Sequence, residues 1–194
     1  MRNRVTPAGD VVDIPLRGAW TGNRGVLHDG HEIVRFHAGD LWITCALTFR
    51  GRWREQWLPN RYTHLFFHDE AVSFAAGHRP CGECRRPAYT AYRDAWPGPP
   101  PSATEMNRRL HRERGTHVRK LHELHWADLP DGVFVRRGRH PELVVAGHLA
   151  EWTTAGYRTR RKLPRAGTVP VLTPPATIAV LRAGYPVQID AGAR

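Results

Sequence analysis

"LFFHDEAVSFAAGHRPCGECRRP", residues 65–87, carries two of the chain's three cysteines, Cys81 and Cys84, two residues apart behind an Arg-Pro step. Its first third reads as a short strand running into a short helix, capped at Asp69 or His68 and stopped by Gly77. After Cys84 a second helix is expected over "RRPAYTAYRDAW", ended by the breaker run "PGPPPS". A Cys-x-x-Cys step on a tight turn brings two thiolates to one tetrahedral ion, with zinc the default. Dithiol redox chemistry usually places its first cysteine at a helix start directly after a buried strand. Here a helix and a glycine stop come first, so a metal is the reading.

Outward from this stretch, "LWITCALTFRGRWREQW" (41–57) reads as a β-hairpin. Leu41, Ile43, Cys45, Leu47 and Phe49 alternate on one face, Arg50-Gly51-Arg52 forms the turn, and 53–57 returns. Another short strand is expected at 32–36. Beyond the proline-rich run, Ser102 and Glu105 form a capping-box signature for a helix through "EMNRRLHRERG", continuing or restarting as "HVRKLHELHWADL". Three short strands follow over 132–161. A last strand then leads to a helix with Thr173 as N-cap, Pro174 in its first position and Gly184 as its stop. The expected fold class is α+β, small mixed sheets with four or five helices around the Cys-x-x-Cys core. It divides into a zinc-binding region with an N-terminal hairpin (1–97) and a basic helix with a small α+β region (98–194).

At 194 residues the chain can bury a real core without staples, and three cysteines make no disulfide framework. A reducing, cytoplasmic setting follows. With no apolar run approaching the eighteen or so residues of a span, neither a signal peptide nor a membrane partner is expected. The net charge is +11, and Lys120 and Lys162 are the only lysines. Arginine's planar fork suits bidentate phosphate contacts, so nucleic acid, DNA foremost, is the expected partner. Arg79, Arg85, Arg86, Arg108, Arg109, Arg112 and Arg119 are the candidate contacts, with Arg158 to Lys162 as a further run. Contacts of this kind give affinity rather than base specificity. Trp20, Trp42, Trp53, Trp57 and Trp152 are stacking candidates, although tryptophans at strand spacing are mostly core.

The stretch 66–87 resembles the zinc-binding N-terminal domain of the Ada-type DNA alkylation repair proteins, with Ala75, Ala76, Gly77, Arg79, Pro80, Cys81 and Cys84 on that family's pattern. A looser likeness runs from Leu41 to Trp96, and the whole chain loosely resembles bacterial proteins carrying the same motif. The resemblance implies a four-cysteine zinc site whose upstream pair is spaced Cys-x-x-x-Cys, one member accepting a methyl group from a DNA phosphotriester. Here the upstream segment holds only Cys45, with Leu41 and Phe49 where a partner would stand. Cys45 is therefore the expected third ligand and the sole upstream candidate nucleophile, its alternative being an inert core thiol. His28 is the first choice for a fourth ligand, with His37, His64, His68 and His78 as rivals.

A competing pattern is the H-x-E … P-C-x-x-C signature of zinc deaminases, whose Glu moves protons around a metal-bound water. His68, Glu70 and "PCGEC" reproduce its letters, but the nine residues between Glu70 and Pro80 leave no room for the usual helix and strand. It keeps open a zinc enzyme, hydrolase- or deaminase-like, acting on a small or nucleotide-like substrate with Glu70 or Glu83 as proton carrier. His117, His122 and His125 sit on what reads as a phosphate-facing basic helix, so a second metal site is not expected there.

Overall fold

The computed structural model describes residues 3–51, 55–115 and 118–194. The N-terminal half contributes β1 (Arg4–Val5), β2 (Val11–Val12), β3 (Trp20–Asn23), β4 (His28–Asp29), β5 (Glu32–Ile33), β6 (Ile43–Cys45), β7 (Leu65–Phe67) and β8 (Arg79–Pro80). Helices α1 (Glu70–Ala75), α2 (Arg86–Asp94) and α3 (Ala103–Arg114) interleave with and follow these strands. The rest is β9 (His122–His125), β10 (Phe134–Val135), β11 (Glu142–Val145), β12 (His148–Thr153), β13 (Gly156–Lys162), β14 (Thr168–Val171) and α4 (Pro175–Arg182). The fold is α+β. One six-stranded sheet runs β2-β1-β7-β3-β6-β8, mixed in direction; a second, antiparallel, runs β13-β12-β11-β10-β14-β9. No helix of the described residues is long and apolar enough to cross a membrane.

Helix α1 is the pivot. All six of its residues are buried. Phe74 joins a cluster with Tyr92, Met106, Leu110, Trp126 and Ile178, while Ala71, Val72 and Ala75 join another with Phe67, Phe134, Leu143 and Trp152. Both clusters draw on residues from either side of the proline run at 97–101. The start of α1 is fixed by Asp69, whose side chain accepts from the Val72 amide at 2.8 Å, and its end by Gly77 at φ +90°. A Cβ at Gly77 would stand 2.5 Å from Arg114 Cδ, so the turn and α3 share that space. Residues near the chain's end close onto the other end of α1. Gln188 O accepts from the Glu70 amide (3.2 Å), Trp20 Nε1 donates to Gln188 Oε1 (2.8 Å), and the Asp190 amide donates to Asp69 (3.0 Å).

The Ser102–Glu105 capping box forms as the sequence predicts, and α3 buries Met106, Asn107, Leu110 and Arg114 at helical spacing. Other expectations shift. The stretch 122–125 is a strand, paired antiparallel with β14, because its intermediate and exposed positions alternate with a period of two. The region expected to give three strands gives β10 to β13, and α4 is capped by Pro174, one residue late, because Thr173 Oγ1 is taken by the Phe134 amide at 2.9 Å. The expected strand at 32–36 is confined to β5. Among the described residues of the 41–57 segment only 43–45 is a strand; Trp42, Thr44 and Cys45 are buried, whereas Leu41 and Leu47 are exposed. Arg52, Trp53 and the return segment's start lie outside the described residues, as does His117.

Candidate metal centre

Strand β6 lies parallel to β8, with Ile43 opposite Arg79 and Thr44 opposite Pro80. One step further along this register sets Cys45 beside Cys81, and the Cys81 amide donates to Thr44 O at 2.9 Å. β6 is held on its other side by β3, where a Cβ at Gly22 would fall 2.1 Å from the Ile43 carbonyl oxygen. Only glycine permits that approach. Past Cys81 the chain turns into α2, whose Pro87 sits in the first helical turn, and the turn carries Cys84 back toward the same point.

The three sulfurs lie within 4.8 Å of one another, Cys45 and Cys81 buried and Cys84 half-buried. All three cysteines are free thiols. The Cys45 side chain donates toward Cys81, and together with the Cys84 and Glu83 amides this brings the Cys81 thiol down to about 5 against the opposing effect of burial. The hydrogen bond to Cys81, then burial, push Cys45 far up. Burial also raises Cys84, opposed by a hydrogen bond from the Ala46 amide. Three convergent sulfurs, with backbone N–H groups favouring negative charge on Cys81 and Cys84, have the electronic character of a soft-metal donor set.

Among the described residues this group has three members, and His28 is not one of them. Its Nδ1 is 2.6 Å from Thr63 Oγ1 and its Nε2 3.3 Å from Leu58 O, so both ring nitrogens hold a loop onto β4. His37 packs against Trp42 and His111, His64 against Tyr62, and His68 against Tyr157. His78 is fully buried beside Arg24. Glu70, the candidate proton carrier, is 1 % exposed. Its carboxylate takes Arg85 Nη2 at 2.5 Å, the Tyr185 hydroxyl at 2.8 Å and the Gln188 amide at 3.0 Å. It serves as a structural counter-ion.

The arginines divide in the same way. Arg79 is buried, donating to Asn107 Oδ1 at 2.8 Å and to Pro80 O at 3.0 Å, and burial lowers its pKa. Arg85 is buried on the Trp20 ring at 3.8 Å. Arg119 caps the Ala75 and Leu172 carbonyls. Arg109 pairs with Glu113 at 2.8 Å, while Arg86, Arg108 and Arg112 are exposed. So is the run 158–162 on edge strand β13. Trp42 and Trp152 are core residues.

The sequence reading missed the buried arginines because deciding partners lie far along the chain, Glu70 15 residues from Arg85 and Leu172 53 from Arg119. It also missed the Glu70–Arg85 pair, whose one signal was a carboxylate at the start of a helix that is otherwise apolar but for Ser73. No protein-family model, curated protein or solved structure matches the chain.

Proposed function

We propose that this chain is a zinc protein of the cytoplasm, with Cys45, Cys81 and Cys84 as its thiolate ligands, and that it engages nucleic acid, DNA foremost, through phosphates. The convergence of three free thiols within 4.8 Å carries the metal reading. Zinc–sulfur bonds of about 2.3 Å in a tetrahedron set sulfurs about 3.8 Å apart, so the donor set fits with little movement. Zinc, when bound, would hold all three sulfurs as thiolates and polarise whatever occupies its fourth position. The chain's own part is to fix the donors: β6 and β8 set Cys45 beside Cys81, and the Glu83, Cys84 and Ala46 amides stabilise negative sulfur. Cys84, the least buried of the three, marks the side from which a fourth ligand enters. In this reading Cys45, 6 % exposed, is a ligand and not an acceptor of a methyl group. The link to alkylation repair rests on the resemblance around Cys81 alone.

The nucleic-acid reading is supported by the exposed cations Arg86, Arg108, Arg112 and the β13 run. A second reading, a zinc enzyme with an exchangeable fourth ligand, is favoured by the count of three donors. Elemental analysis and X-ray absorption on protein purified without added metal test the centre. One zinc with three sulfur neighbours is expected, lost in Cys81→Ser. Under about half an equivalent, with thiols that titrate freely, overturns it, since a structural zinc binds by about 10 kcal/mol or more. Anisotropy with labelled duplex across a salt series tests the partner, each neutralised phosphate adding a slope of about −0.9. Undetectable binding at low salt removes the nucleic-acid reading and leaves the enzyme reading.

A further inference from the structure

A cavity of about 410 Å³ opens beside the turn at 6–10, the end of α3 and the 136–141 loop, and none of its described lining residues belongs to the cysteine centre. Arg114, Arg119, Arg136 and Arg139 line it, against one carboxylate, Asp10, with Trp152 and Phe36 supplying ring surface. Its size is that of sites for small organic molecules, roughly 300–1,000 Å³.

Two carboxylates act on this charge, Asp10 on Arg24 and Arg119 and Asp40 on Arg114, but among the described residues neither forms an ion pair with these guanidinium groups. Arg114 donates to the carbonyls of Gly77 (3.0 Å) and Asp40 (2.9 Å), and Arg119 to those of Ala75, Leu172 and Arg114. Carbonyl dipoles satisfy N–H groups without cancelling a charge. Arg24, stacked on Phe36 at 4.7 Å and on Trp42 at 4.0 Å, adds a third buried guanidinium, and Arg114 lies on the same Trp42 ring at 3.8 Å. Burial lowers all three, Arg114 and Arg119 to about 9, and their mutual repulsion lowers Arg24 and Arg114 further. Among the described residues, four donors in this region are buried without an acceptor: Arg24 Nη2, Arg114 Nε, Arg119 Nε and Trp152 Nε1. Native folds leave few such groups, and a cluster of them points to a missing anionic partner. At the mouth, Arg136 and Arg139 are exposed, and among the described residues neither guanidinium has an ion-pair partner.

We propose that this cavity binds a phosphate monoester or diphosphate group, carried by a small organic ligand or by the end of a nucleic-acid strand. Arg136 and Arg139 grip the oxygens, while Arg114 and Arg119 supply the field behind them. Phosphate is favoured over carboxylate because several guanidinium forks converge. A phosphate dianion offers three terminal oxygens and two charges, and a carboxylate offers two oxygens and one charge. The site is independent of the metal and of the exposed arginines that would meet duplex DNA.

Isothermal titration of the full chain as purified, at fixed ionic strength, tests it with pyrophosphate, AMP, adenosine and a short deoxyoligonucleotide with and without a 5′-phosphate. Pyrophosphate or AMP is expected to bind and adenosine not to. Arg136→Gln with Arg139→Gln should weaken binding at least about tenfold, the worth of one charge-assisted contact. Because both side chains are exposed, this variant should keep the wild-type thermal midpoint. Arg17→Gln with Arg61→Gln, both exposed and outside the cavity's described lining, should leave the affinity unchanged. Binding of AMP, with no gain from the oligonucleotide's 5′-phosphate, assigns a free ligand. A gain of about tenfold from that phosphate, lost in the Arg136/Arg139 variant, assigns a strand end. The proposal fails if no phosphorylated probe binds more tightly than about 10 mM, or if both arginine pairs weaken binding equally.

Discussion

Replacing Glu70 by glutamine keeps the side chain's shape and removes its charge. The carboxylate, 1 % exposed, accepts from Arg85 at 2.5 Å, Tyr185 at 2.8 Å and Gln188 at 3.0 Å. The amide's single oxygen can retain one or two of these contacts, but nothing replaces the charge opposite Arg85. That guanidinium is 8 % exposed, and its Nη1 already has no acceptor. Stranding one partner of a buried pair costs about 3–5 kcal/mol. Against a typical total of about 5–15 kcal/mol, that is a large part of the fold's stability. Urea unfolding of Glu70→Gln, followed by circular dichroism, should show the loss with an unchanged denaturant slope. Adding Arg85→Met should recover much of it, because removing both partners leaves no unpaired charge. A Glu70→Gln protein within about 1 kcal/mol of wild type would refute the assignment of Glu70 as a structural counter-ion and return it to the list of proton carriers.

Gly77→Ala forces a Cβ to 2.5 Å from Arg114 Cδ at a φ of +90°; a loss of about 1–3 kcal/mol in the same urea assay is expected. Stability should also fall in acid through His78. Burial, then Arg24 and Arg114, hold its pKa well below the usual imidazole range. Below about pH 6.5 the unfolded chain binds a proton there that the native chain does not, so stability drops as pH falls, by at most about 1.4 kcal/mol per pH unit. Comparing wild type with His78→Gln at pH 7, 6 and 5 isolates this effect from thiol protonation; parallel profiles would contradict it.

What the sequence discloses here is local chemistry. Asp69, Gly77, Pro87 and the Ser102–Glu105 box act within a turn or two of themselves, so the helices they bound can be read from neighbours alone. Cys45 could be joined to Cys81 and Cys84 only through resemblance, because the β6–β8 register that aligns them spans more than thirty residues. The strand at 122–125 shows why patterns fail when a distant partner decides. The arginine-rich stretch before it suits a helix, yet pairing with β14, more than forty residues on, sets its form. The alternation from Leu41 to Phe49 does not mark one buried face, since Cys45 is buried while Leu41 and Leu47 are exposed. The buried side is chosen by Trp42, which packs under Arg24 and Arg114. Arginines are the hardest case, since a long cationic side chain looks solvent-bound until its carbonyl or carboxylate partner is located.

The bonds between α1 and residues 185–190 also impose an order on the protein's birth. All three thiols have left the ribosome once residue 84 is free, and they can meet a metal while the second sheet is still untranslated. Glu70 cannot reach its final set of partners until Tyr185 and Gln188 emerge, about a hundred residues later and, at roughly 5–20 residues per second, some 5–20 seconds behind. A nascent chain would therefore carry its cysteine turn with Glu70 able to meet Arg85 but still without its Tyr185 and Gln188 donors. Scarcity of metal during that interval would leave three adjacent thiols open to oxidation.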